Sequence, residues 1–335
     1  MAETSNYDSR TISHNCEWKH LCKAPSNDDS SVWALSRCEE CGLVRLAEVP
    51  GRETSYPSDY YGEGEAKFVP VIEAISHIRP VLMSYAIHRC SDVARTEKRR
   101  PRVLDVGCGR AYLLRDLAAK GWDCAGIDIQ GSPVPRNAES LGLDCRIGDA
   151  SDLPWPSGVF DLVVINHVLE HTVDPWAVCR EARRVLRDKG ILYVGVPNVL
   201  SFQSRLFGVN WFSLELPRHV FHFSPRSLAT LLRSAGLRMD LCSTRSFRQG
   251  VFAWIQSTLN VIDRSSPNRL LGILKGQVSA MSFASAVHLS IACALAPLGL
   301  LEVCLASLLG HGSVLAVVCS KGTGCPRQPV GDRYG

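Results

Sequence analysis

Three groups of residues have the types and spacing that chemistry requires. The first is a glycine turn, Leu104-Asp105-Val106-Gly107-Cys108-Gly109, directly after a short β-branched run. Two glycines there let the backbone turn tightly and come close to a ligand, and a helix N-terminus follows. Asp128 ends the next apolar run, where a carboxylate can accept hydrogen bonds from ribose hydroxyls. A pyrophosphate-cradling G-x-G-x-x-G would need glycine at position 112, which is Tyr112, and no Gly-Lys-Ser/Thr phosphate loop is present. The second group is four cysteines near the N-terminus. Cys38-Glu39-Glu40-Cys41-Gly42 has the spacing of a metal knuckle, and Cys16 and Cys22 could complete a tetrahedral zinc site, with His20 as an alternative to Cys22. The third is histidines: His167-Val168-Leu169-Glu170-His171, and Pro217-Arg218-His219-Val220-Phe221-His222. His219, His222 and His167 are candidate general bases, which a reaction needs only when the attacking group must lose a proton. Arg218 could hold an anionic substrate group, and the bland alternative is that this segment caps and packs the helix that follows.

Composition narrows the classes. The chain has 335 residues, 46% hydrophobic and 21% charged, with a net charge of +4. It is therefore neither disordered, nor collagen-like, nor a coiled coil. The densest basic cluster is Lys98-Arg99-Arg100, too short to imply nucleic acid. Met1 to Arg10 is polar, so no secretory leader is expected, and a reduced, cytoplasmic setting fits the scattered cysteines (Cys124, Cys179, Cys293, Cys304, Cys319) that sit in apolar runs as small hydrophobes.

The elements that must position these groups alternate. Strands are expected at Val103–Val106, Cys124–Ile129, Leu143–Ile147, Phe160–Ile165, Ile191–Val196, Leu237–Thr244 and Ser313–Cys319. Between them, helices are expected over Ala111–Lys120, over Pro175–Arg187 with Asp174 as N-cap, and from Pro225 to Ala235 with Ser224 as N-cap. An apolar-periodic stretch from Phe68 to Val93, interrupted near Pro80, is expected to be helical. Alternation of this kind predicts an α/β fold with a mostly parallel sheet covered on both faces. The expected divisions are a Cys/His-bearing module at 1–50, a connector at 51–100, the core at 101–247, an apolar helical insertion at 248–311, and the last strand with its tail at 312–335.

Taken together, Val103 to Gly109, Asp128, Gly148-Asp149-Ala150, Phe160 to His171 and the helix–strand unit after Asp174 resemble, in order, the motifs of class I S-adenosylmethionine-dependent methyltransferases of the type 11/23 kind. That resemblance implies a Rossmann-like seven-stranded sheet and methyl transfer. It puts Gly107 and Gly109 near the methionine moiety of the cofactor with Asp105 beneath, Asp128 on ribose and Asp149 on adenine, and adds Cys108, Ile129, Ala150 and Asn166 as cofactor neighbours. The N-terminal cysteines resemble the zinc ribbon that precedes this domain in a bacterial subset, many of them near sugar and cell-surface polymer pathways; Cys16, Cys22, Cys38 and Cys41 would then hold a structural zinc, although that subset has two regular C-x-x-C pairs. The Pro217-Arg218-His219 segment resembles one in the same subset. Some ubiquinone-pathway O-methyltransferases hold a metal at the segment matching His167–His171, but many relatives carry Leu-Glu-His without one, which is the favoured reading.

The insertion is unusual. From Gly276 to Leu301 no Asp, Glu, Lys or Arg occurs, yet serines, His288, Pro297 and Gly299 dilute the run, and a span would separate the last strand from its sheet. Helices over the acceptor side are expected, as a lid, a dimer contact or a peripheral membrane contact through residues 276–301. The functional expectation is O-methylation of a sugar, glycan or related small molecule, with a quinone or other lipid-linked precursor as the alternative and a non-catalytic cofactor-binding scaffold as the rival.

Overall fold

The computed structural model describes residues 17–26, 31–49, 80–132, 134, 138, 141–245 and 247–322. Cys16, His14, the segment 50–79 and the tail after 322 lie outside them.

Seven strands form the main sheet: β4 (Arg102–Val106), β5 (Asp123–Asp128), β6 (Leu143–Ile147), β7 (Phe160–Asn166), β8 (Leu186–Pro197), β10 (Leu237–Ser243) and β11 (Val314–Lys321). Their order is β10-β11-β8-β7-β4-β5-β6. The five from β8 to β6 run parallel, while β11 lies antiparallel between β8 and β10. The chain starts at β4, winds outward through β5 and β6, then returns to the other side through β7 and β8. The reversal leaves a crevice beyond the C-terminal end of β4, where α/β sheets bind ligands.

Helices cover both faces. Helix α1 (Val81–Thr96) starts directly after Pro80 and buries Met83, Ile87 and Cys90 against Val103, Leu162 and Tyr193, while α2 (Tyr112–Ala118) adds Leu114 and Leu117. On the other face α3 (Pro175–Val185) and α5 (Pro225–Ser234) pack Val178, Ala182, Leu228 and Leu231 against Val163, Ile165, Leu192 and Val317. Their caps are those the sequence specifies: Asp174 accepts from the Ala177 amide, and Ser224 with Ser227 forms a reciprocal capping box ahead of Pro225. One boundary differs. Helix α3 ends at Val185 because Leu186 is extended and pairs with Phe160 of β7, so residues expected in a helix and turn belong to the 12-residue strand β8. Strand pairing outweighs the local preference of this segment.

The N-terminal residues form β1 (Trp18–Pro25), β2 (Val32–Cys38) and β3 (Val44–Leu46), antiparallel neighbours in that order. The fourth strand of this sheet is β9 (Phe221–His222), which pairs with β3. Leu35, Leu43, Val44 and Leu46 join the same core as the main sheet. A core loop thus completes the N-terminal sheet. After β8 comes the short α4 (Phe202–Phe207); after β10 come α6 (Phe247–Ile262), α7 (Arg269–Leu274) and α8 (Phe283–Leu308), which make a helical hairpin. In it Gly299 packs on Trp254 and Val251, and Gly250 on Val303.

One buried ion pair locks the base of the sheet. Asp161, 3% exposed, accepts from Arg99 Nη1 at 2.6 Å and from the Arg102 amide at 2.8 Å, joining the turn after α1 to β4 and β7. Asp161→Ala is expected to cost about 2–3 kcal/mol of unfolding free energy, since it strands a guanidinium and an amide in partly buried surroundings. Urea denaturation of the two proteins checks this.

Candidate active site

The glycine turn sits at the C-terminal end of β4. Gly107 has φ +75°, Gly109 +48°, and Ala111, at the start of α2, +58°. The Gly107 and Cys108 amides both donate to Ile127 O of β5, at 2.8 and 3.2 Å. A Cβ at Gly107 would lie 2.3 Å from Val168 Cγ2, so the turn is pressed against the segment carrying His167. Asp128 reaches across from β5: its carboxylate accepts from the Gly109 amide at 2.6 Å and from the Ile129 amide at 2.7 Å. Burial raises its pKa despite these two bonds. Asp105 is 8% exposed; burial, then the Asp128 carboxylate, push its pKa up to about 8. Asp149 begins the loop after β6 and accepts from the Ser151 amide at 2.9 Å, with Ala150 half-buried beside it. Asn166 closes β7, half-buried. The Cys108 thiol packs on Gly126, where a Cβ would come within 2.8 Å of it, so the side chain faces the core.

The predicted cofactor residues therefore converge on one crevice. Open space at Gly109, where a Cβ would meet nothing within 4 Å, and a carboxylate held by two amides with lone pairs to spare, fit a nucleoside cofactor whose ribose would meet Asp128.

The histidines divide into an outer and an inner set. His167 lies just past β7 in a left-handed conformation, φ +57°, so it is not on a common helical face with His171; only Leu169–His171 form a single helical turn. His167 Nδ1 faces Glu170 Oε1 at 3.0 Å, and its Nε2 meets the Gln249 side-chain amide of α6 at 2.7 Å. Its side chain is 27% exposed. Glu170 is 1% exposed. Burial raises the pKa of its carboxyl, but the His167 hydrogen bond and the nearby His171 and His219 rings hold it below the usual range, so it is ionised at neutral pH. With the carboxylate on Nδ1, the N–H is assigned there, leaving Nε2 as the basic nitrogen.

The inner set faces the protein interior. His219 and His222 are buried, and the His171 and His219 rings meet edge-on with centroids 4.6 Å apart. His219 Nδ1 donates to Ser213 O at 2.8 Å while its Nε2 lies 3.3 Å from Glu215 Oε2. Burial lowers His171 to about 4 and His222 to about 3, keeping both neutral. Arg218 is buried too, its Nε donating to Glu215 Oε1 at 2.9 Å. The Glu215 carboxyl, raised by burial but lowered more by His219, Arg218 and His171, falls to about 2. Arg218 and His219, expected to hold an acceptor anion and to take its proton, are buried against partners of their own, and His222, the other expected base, is buried with no hydrogen-bond partner for its Nε2 among the described residues. Ligand atoms of Glu170, His171 and His219 lie within 4.8 Å of one another, close enough to hold a cation, and His167 is not in that group.

The cysteines do not gather as expected. Cys38 and Cys41 bracket a tight turn closed by the Gly42 amide on Cys38 O at 3.0 Å. Cys22, however, pairs with Leu35, three positions along β2 from Cys38, and so about 10 Å away at strand spacing. With Cys16 outside the described residues, half of a zinc site is on hand, and no role rests on it.

Gln249 has no signal in the sequence: it sits 79 residues beyond Glu170 in an insertion without pattern, and only tertiary packing brings it to His167.

A methyltransferase-domain family matches residues 75–241. A ubiquinone biosynthesis O-methyltransferase from Xanthomonas axonopodis pv. citri is 31% identical over 175 residues, covering 49% of this chain and 71% of the relative. One from Cereibacter sphaeroides is 35% identical over 147 residues, covering 41% and 60%. Among solved structures, a geranyl diphosphate methyltransferase in complex with S-adenosylmethionine aligns at a TM-score of 0.44 with 16% identity, over 72% of this chain and 84% of that one.

Because the folded Asp105 binds its proton more tightly than the unfolded chain, with a pKa near 8 against an ordinary value of about 4, its contribution to stability is full at acid pH and lost as pH rises toward 8. Asp105→Asn is expected to flatten this dependence and to gain melting temperature over wild type as pH climbs from 5 to 8, measured by thermal unfolding across that range.

Proposed function

The chain belongs to the class I S-adenosylmethionine-dependent methyltransferases, and on that premise we propose that it methylates a hydroxyl oxygen of an apolar or lipid-linked acceptor, with His167 as the general base. Bound S-adenosylmethionine supplies a methyl group already activated by the sulfonium. The turn at Gly107–Gly109, the Asp105 carboxyl and the Asp128 and Asp149 carboxylates would hold that cofactor, with the backbone of Cys108, Ile129 and Ala150 and the side chain of Asn166 around it. What remains for the protein is to place the acceptor and take its proton.

The observation that carries this reading is the His167–Glu170 pair beside the glycine turn. Glu170 orients the imidazole and stabilises the charge it gains, and Nε2 takes the acceptor proton once the acceptor hydroxyl replaces the Gln249 amide. Oxygen is favoured over nitrogen because a hydroxyl must be deprotonated as it attacks, which gives the pair its purpose. The relatives are named as O-methyltransferases. An apolar acceptor is favoured over a free sugar because α6, which delivers Gln249, belongs to the apolar hairpin.

His167→Ala is expected to lower kcat by about 10²–10⁴-fold, leaving cofactor affinity unchanged. His219→Ala is expected instead to lower the melting temperature. Full turnover in His167→Ala would exclude the base assignment. Transfer of labelled methyl into a host extract, separated into lipid, polymer, protein and small-molecule fractions with Asp128→Ala as control, tests the acceptor. Label is expected in the lipid fraction. Cofactor binding without label in any fraction would favour a scaffold.

A further inference from the structure

We propose that the α6–α8 hairpin is a membrane seat that lies in one leaflet of an anionic bilayer and turns the active-site crevice toward it. This rests on the reading of an apolar or lipid-linked acceptor and adds the surface on which that acceptor is met.

Helix α8 is 26 residues long, about 39 Å at helical rise. Its most apolar 18-residue window has a mean hydropathy of 2.1, yet only 17% of that window is buried in the protein. A helix of this composition in a soluble core would be mostly covered. The inward side meets α6 and the core through Gly299, Val303 and Ala306. The outward side presents Phe283, Val287, Leu298, Leu301, Leu305 and Leu308, all exposed, at steps of 4, 11, 3, 4 and 3 residues. These steps keep one helical face, and it is the face where a soluble surface helix carries polar groups. Phe283 is 85% exposed and Leu308 77%, so the apolar face runs the whole length of the helix.

The geometry favours lying in the surface over crossing it. Helix α6 leaves from β10, and α8 returns through Gly312 into β11, which lies between β10 and β8. Both roots of the hairpin stand on one sheet and therefore on one side of a bilayer. At the far end the connection between α6 and α8 carries Arg264, Arg269 and Lys275 against Asp263 alone, and Asp263 faces His288 at 3.4 Å. An excess of cations beside exposed Ile262, Met281 and Phe283 complements anionic headgroups above acyl chains. The root joins the active site. Gln203 of α4 donates to Glu302 Oε2 of α8 at 2.8 Å and to Gly250 O of α6 at 2.9 Å. One residue earlier in the hairpin, Gln249 meets His167.

The test is flotation of the purified full-length protein with vesicles of phosphatidylcholine, alone or mixed with phosphatidylglycerol. Binding to the mixed vesicles, weakened by salt, is expected. Leu301→Glu with Leu305→Glu is expected to weaken partition about tenfold or more, while titration with S-adenosylmethionine keeps its affinity and so reports an intact fold. Arg264→Glu with Arg269→Glu should remove the preference for anionic lipid. No flotation with either vesicle would overturn the proposal. So would a lipid-free dimer that the Leu301→Glu, Leu305→Glu variant converts to monomer, because the face would then belong to a second copy of the chain. Flotation without label in the lipid fraction supports the seat and overturns the acceptor reading; label there without flotation does the reverse.

Discussion

The Asp128 carboxylate is the constraint around which the crevice is built. It stands at the end of β5 and takes the Gly109 amide of the neighbouring turn on one oxygen and the Ile129 amide on the other. A carboxyl in a largely buried place is tolerated only because hydrogen bonds from two backbone amides offset its desolvation. Those bonds in turn fix the curvature of the turn, which needs the left-handed conformations of Gly107 and Gly109 and comes so near Val168 that no side chain fits at 107. Position and conformation of the cofactor loop thus follow from one carboxylate and two glycines, placed where the strand order reverses.

Glu170 has the same role at the neighbouring strand. Fully interior, it touches an outer imidazole, His167, and lies near two inner ones, His171 and His219. The outer contact orients a side chain at the crevice. The inner group, with Glu215 and Arg218, neutralises itself inside the protein and backs the loop that supplies β9 to the N-terminal sheet. A cluster rich in titratable residues can therefore be mostly buried, with a single member, His167, partly exposed beside the glycine turn.

The hairpin is tied to the same centre. Its first turn delivers Gln249 to His167. Gln249 and the exposed apolar face of α8 thus belong to one insertion between β10 and β11.

Much of this was legible in the sequence by itself. The strands, the Asp174 and Ser224 caps and the glycine turn with Asp128 rest on local rules: periodicity, side-chain capping of amides, and the freedom of glycine. Local rules carry over into the folded chain, so the sheet, both capped helices and the cofactor crevice were determined there. What the tertiary structure decided were matters of distance between remote segments. His219 and His222 have the right types for a base, but packing buries both, His219 against Ser213 and Glu215, while leaving His167 partly exposed. Cys22 has a ligand's chemistry, but the register of β1 on β2 carries it away from Cys38. Leu186 could continue a helix, but β7 offered it a strand partner. The role of Gln249 has no local signature, because it arises when two segments 82 residues apart come to one place. Residue type and spacing report what a side chain can do; burial and neighbours, which only the fold supplies, select which one is free to do it.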